Sequence, residues 1–143
     1  MTTLGAPIAV ERLVEGSCWQ LSSSVNGFAD PNTQELVTQV SSGRGFQVVE
    51  AASCQAFEKD EFLRFQVCLL EDRYSCWLDW REVSGHAFAL KKWEPISLSR
   101  REIERRIPFV LNWVEKAATN TNHYLWGGTI GPDFDCSGLI QTA

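Results

Sequence analysis

The sequence has no long apolar run, no dense basic cluster, no Cys-x-x-Cys pair and only two histidines. Without about 20 consecutive apolar residues, no membrane-spanning helix is expected. The first twelve residues carry no basic start followed by an apolar core, so export by a standard signal is not expected and the cytoplasm is the expected location. Five cysteines, an odd number, indicate neither a complete disulfide framework nor a zinc site, and reduced thiols are expected. Thirteen Lys and Arg against eighteen Asp and Glu leave a net charge of -5. The basic pairs Arg100-Arg101 and Arg105-Arg106 surround Glu102 and Glu104, which reads as a solvated helix face and excludes nucleic acid as a partner. No metal and no organic cofactor is indicated, nor any membrane partner.

What is present is a core. A hydrophobic content of 44% and six tryptophans argue for a folded chain, either one domain or a small domain with part of another. From Cys18 to about Val83 the chain reads as short strands. Trp19 and Leu21 open the series; Ser22-Ser23-Ser24, Asn26-Gly27 and Asp30-Pro31-Asn32 break it. Glu35 to Val40 and Phe46 to Glu50 are expected strands about a turn at Ser42-Gly43-Arg44-Gly45. Leu63, Phe65, Val67 and Leu69 then alternate with Arg64 and Gln66, the period of a half-buried strand. Glu71-Asp72-Arg73 turns the chain into a returning strand with Tyr74, Cys76, Leu78 and Trp80 on one face. Five or six short strands suggest a small closed barrel, since closure removes exposed edges. His86, in a turn beyond the hairpin, reads as a surface or satisfied histidine.

Lys91 to Pro95 reads as a linker that Trp93 holds down, dividing the chain into residues 1–95 and 96–143. Ser99-Arg100-Arg101-Glu102 fits a capping box. Ile103, Ile107, Val110, Leu111 and Val114 follow at helical spacing. Pro108 is expected to kink that helix or to open a second one, and Asn120-Thr121-Asn122 to end it.

The last twenty residues, from Tyr124 to Ala143, carry the feature that reads as chemistry. A glycine pair, a Gly-Pro turn and Asp135-Cys136-Ser137-Gly138 deliver a thiol to the start of an apolar segment, Leu139-Ile140. Free amides and the dipole at a helix start favour an anion there, which suits a thiolate nucleophile and, later, the oxyanion of a tetrahedral intermediate. Asp135 and Ser137 are placed to cap the helix or to bond a substrate. Cys18, Cys54, Cys68 and Cys76 read as packing residues.

Tyr124-x-Trp126-Gly127-Gly128 followed by Asp135-Cys136-Ser137-Gly138-Leu139 resembles the nucleophile region of the NlpC-type cell-wall cysteine peptidases. That resemblance implies an α+β papain-like core, Cys136 as nucleophile, and Tyr124, Asp135 and Ser137 as substrate-binding residues. Its implied reaction is hydrolysis of the γ-D-glutamyl-L-diamino acid bond in peptidoglycan-derived peptides, in murein peptide turnover or recycling. Asn32-Thr33, Leu36-Val37-Thr38-Gln39-Val40, the Gly43 turn, Val48-Val49 and Tyr74-Ser75-Cys76-Trp77-Leu78 resemble the bacterial SH3-like domain. This second resemblance implies a barrel that narrows the cleft and lends Tyr74 to the substrate; the alternative is a Tyr74 ring packed inside the barrel.

A peptidase thiol needs a base, usually a histidine oriented by a third polar group. In the resembled family that histidine lies well after the cysteine, whereas this chain has only His86 and His123. His123 directly precedes Tyr124, and no physical reason brings it onto the thiol. The expectation is therefore an amino-terminal part of a longer enzyme, inactive when isolated, with Ile107, Leu111, Val114 and Leu139 left wet. A monomer is the expected state. Two other readings stay open: a non-catalytic SH3-like binding module with a degenerate peptidase remnant, and a papain-like acyltransferase.

Overall fold

A computed structural model of the chain describes residues 9–51 and 63–143. Cys54 lies outside the described residues. The chain divides between Trp93 and Glu94 into two compact units.

In the first unit a short 3-10 turn, Val10–Arg12, precedes strands β1 (Cys18–Leu21), β2 (Val25–Phe28), β3 (Leu36–Val40), β4 (Gly45–Glu50), β5 (Arg64–Leu69) and β6 (Ser75–Asp79). A one-turn helix α1 (Trp80–Val83) and strand β7 (Ala87–Ala89) complete it. All seven strands form one antiparallel sheet in the order β3-β2-β6-β5-β4-β1-β7.

Short links force that sheet to curl. β1 and β2 stand four places apart in the order, about 19 Å in a flat sheet at the usual strand spacing. The chain from Leu21 to Val25 reaches roughly 14 Å at most. The link from β3 to β4 imposes the same demand. The two links run side by side: the Gly43 amide donates to the Leu21 carbonyl at 2.8 Å, and the Ser42 amide to the Ser24 hydroxyl at 3.1 Å.

The expected closed barrel does not form. β1 pairs with β4 on one side and β7 on the other, so it has no edge left for β2. β3 and β7 are the two edges among the described residues. Asn26-Gly27, expected to break the chain, lies inside β2. The glycine serves close approach there: a Cβ on Gly27 would sit 2.8 Å from the Thr38 methyl carbon and 3.0 Å from the Cys76 sulfur.

The inner face holds the core. Trp19, Leu21, Val25, Val40, Phe46, Val48, Phe65, Val67, Leu69, Cys76, Leu78, Val83 and Ala87 are buried together with Leu13. Phe46 and Phe65 meet with ring centroids 5.9 Å apart, a tilted pair within the favourable range. Burial also pushes the Cys76 thiol up to about 12, so that cysteine is an inert hydrophobe. Arg64, expected on the polar face, is 4% exposed. Its guanidinium lies 3.7 Å from the Phe28 ring centroid and donates to the carbonyls of Asp30 and Thr33, so its charge fastens the loop between β2 and β3.

The second unit is helical. Helix α2 (Arg100–Thr119) begins at the expected capping box: the Ser99 amide donates to Glu102 Oε2 at 2.8 Å and the Glu102 amide to Ser99 Oγ at 3.4 Å. It runs through Pro108 as one element, and Asn120 caps its end. No second helix opens at Pro108. A 16-residue loop follows, and helix α3 (Cys136–Thr142) ends the chain. None of the α2 side chains is buried; Ile107 is 47% and Leu111 57% exposed. No helix among the described residues is long and apolar enough to cross a membrane.

Removing the ring of Phe65, fully buried against Phe46, is expected to cost about 3–5 kcal/mol. Urea unfolding of Phe65→Ala followed by tryptophan fluorescence checks this, and a loss under about 1 kcal/mol would contradict the packing described.

Candidate active site

The loop between α2 and α3 is shaped by one carboxylate. Asp135 is the N-cap of α3. Its Oδ1 accepts the Gly138 amide at 2.6 Å and the Ser137 hydroxyl at 2.9 Å, while Oδ2 accepts the Gly127 amide at 2.9 Å. One side chain thus ties the glycine pair to the start of the helix, satisfying amides that a helix terminus would otherwise leave open.

Burial acts to raise the Asp135 pKa, but the bonds from Gly138, Ser137 and Gly127 outweigh it and hold the carboxyl below its ordinary value.

The glycines are required by how closely the backbones approach. The Asp135 amide donates to the Gly128 carbonyl at 3.2 Å. A Cβ on Gly138 would collide with that same Gly128 carbonyl oxygen, and one on Gly128 would lie 2.6 Å from the Asp133 carbonyl oxygen. Side chains larger than hydrogen are excluded at both positions. The loop is further held by a Tyr124–Phe134 bridge, by the His123 amide donating to Asp133 at 2.8 Å, and by the Thr142 hydroxyl donating to the carbonyls of Thr129 and Gly138.

These constraints set Cys136 as the first residue of α3, and it is exposed, unlike half-buried Cys18 and Cys68 and buried Cys76. Its amide has no acceptor among the described residues. A cleft of about 480 Å³ opens beside it, lined also by Val114, His123, Tyr124, Asp135 and Leu139. The arrangement offers a reachable thiol, a free amide at the same residue and an apolar floor. Nucleophilic attack on a carbonyl with its oxyanion held by backbone needs these and, besides them, a base for the thiol proton.

Of the residues expected at the site, Cys136, Tyr124 and Asp135 line this cleft. Tyr124 is 66% exposed. Ser137 gives its hydroxyl proton to Asp135, so toward a ligand it is an acceptor. Asp135 accepts from the Gly127 and Gly138 amides and from both the hydroxyl and the amide of Ser137, about the four that a carboxylate accommodates, which makes it first a structural residue. Tyr74 belongs to the first unit, just ahead of β6, and is 43% exposed; its ring is not packed in the core.

His123 also borders the cleft, which its sequence position did not announce. Among the described residues neither His86 nor His123 makes a side-chain hydrogen bond, so no third group orients either imidazole. Nor do the described residues contain a cluster able to hold a metal ion. The sequence did not reveal the Thr142 bond, because a threonine near a helix end has many uses. The collision at Gly138 was legible only as a spacing of small residues.

Fold and site together define a chain with a curled antiparallel sheet ahead of a helical unit that presents a capped, exposed thiol. No protein-family model matches the chain, and no curated protein matches it.

Because the folded pKa of Asp135 lies below its unfolded value, the clamp's contribution is fully present above the unfolded value near 3.9 and is lost as pH falls through the lowered one. The amide resonances of Gly127 and Gly138 are expected to titrate together with a midpoint below about 3.9. Separate midpoints, or one above that value, would contradict a shared carboxylate.

Proposed function

We propose that this chain carries the nucleophile unit of an NlpC-type cysteine peptidase that acts on peptidoglycan-derived peptides. What supports the reading is the Asp135 clamp, which leaves Cys136 exposed at the helix start beside a cleft. The Cys136 sulfur attacks the γ-D-glutamyl carbonyl, its amide receives the oxyanion, and a base takes the thiol proton. Collapse of the tetrahedral intermediate expels the diamino acid as an amine and leaves a thioester, which water hydrolyses. The charge of Asp135, which borders the cleft, suits the substrate's free ammonium group.

In this reading the first unit is a bacterial SH3-like domain, and its Tyr74 is exposed. The protein works in the cytoplasm on released peptides, as a monomer. The binding-module and acyltransferase readings have no observation of their own in their favour.

The test is a vinyl sulfone built on L-Ala-γ-D-Glu, read by intact mass and peptide mapping. One adduct is expected, at Cys136, absent from Cys136→Ala and formed at least tenfold more slowly when the amino end is acetylated. Equal labelling of Cys18 or Cys68 would remove the peptidase reading; equal rates for free and acetylated ends would remove the ammonium contact.

Since no group among the described residues orients either histidine, the 143-residue chain is expected to give no catalytic turnover of L-Ala-γ-D-Glu-L-Lys. Multiple turnovers abolished by His123→Ala would place the base at His123 and contradict this.

A further inference from the structure

A second hollow of about 360 Å³ adjoins the Cys136 cleft. Ala117 and Phe134 line both, so the two share a wall. The second hollow is bounded by Trp113, Ile130, Pro132 and Phe134, with Lys116 and Asn120 from the last turns of α2 at its border. Trp113 and Phe134 meet edge to face with centroids 5.7 Å apart, a geometry that fixes both rings.

The charges of the two hollows are opposite. Lys116 is the one charged residue lining the second, and it makes no ion pair among the described residues. Asp135 is the carboxylate lining the first. Two neighbouring hollows therefore flank the Phe134 ring: one with a carboxylate beside the thiol, the other an apolar basin with a cation at its lip. Within a chain of net charge -5, an unpaired ammonium there selects for an anion against the prevailing field. The basin rewards hydrocarbon beside that anion.

We propose that the Trp113–Pro132–Phe134 hollow is a subsite for the carboxylate-bearing end of a short zwitterionic peptide, with Lys116 as the specificity residue. The occupant lies with its amino end in the hollow that holds Asp135 and Cys136 and its carboxylate at Lys116, crossing the Phe134 ring between them. A peptide amidated at its carboxyl end, or a longer chain continuing beyond that point, loses the ion pair. This assignment rests on the peptidase reading for the identity of the peptide, but its binding preference is measurable without cleavage.

The experiment is calorimetric titration of the full chain, as Cys136→Ala, with L-Ala-γ-D-Glu-L-Lys as the free acid and as its carboxyl-terminal amide. The free acid is expected to bind at least tenfold more tightly. Lys116→Met should abolish that preference while Lys116→Arg keeps most of it; the side chain is exposed, so both variants should fold. Equal affinity of acid and amide, a preference that survives Lys116→Met, or no binding of either peptide because another segment or partner fills the hollow, would each overturn the assignment. Acid-selective binding without vinyl sulfone labelling of Cys136 would leave the subsite standing and remove the peptidase reading alone.

Discussion

The Asp135 carboxylate is the constraint from which the second unit takes its form. It gathers the Gly138 amide, the Ser137 hydroxyl and the Gly127 amide onto two oxygens, and so sets where α3 begins and where the glycine pair must run. The close approach of Gly138 to the Gly128 carbonyl follows from that gathering. Cys136, the first residue of the helix so capped, is exposed, as is Ser137 beside it. A capping interaction ordinarily worth about 1 kcal/mol here also sets the position of a nucleophile.

In the first unit the corresponding constraint is chain length between strands. Links too short to span a flat sheet bend it around its apolar face, which lets fourteen residues share one core. Where strands approach most closely, glycine again supplies the clearance, at Gly27 against Thr38 and Cys76. Arg64 shows that burial need not follow binary patterning when a guanidinium finds an aromatic face and two carbonyls.

Much of this was legible in the residues. Alternation at Leu63, Phe65, Val67 and Leu69 located β5, the Ser99-Glu102 pair located the start of α2, and Asp135-Cys136 located the start of α3. In each, local chemistry and tertiary structure agree. The failures share a cause in tertiary contact. Asn26-Gly27 has turn chemistry but lies in a strand, because β2 pairs there with both β3 and β6. Closure was expected because edges are costly, yet β7, a strand of three residues, occupies the edge that closure needed. Pro108 lies within α2, whose ladder of bonds continues on both sides of it. The site itself was legible as a thiol at a helix start; that Asp135 is largely spent on structure, and that His123 borders the same cleft, required coordinates.

The account makes reactivity a consequence of position. Cys76 is sealed in the core with its thiol pushed up to about 12, while Cys18 and Cys68 are half-buried on β-strands. Cys136 differs from them in being presented by a capped helix start. The most direct measurement is site-resolved alkylation by limiting iodoacetamide at neutral pH, in the native chain and in Asp135→Ala. The account predicts that Cys136 is modified before every other described cysteine and loses that lead when the clamp is removed. Cys136 reacting no faster than Cys18 or Cys68 in the native chain would contradict it.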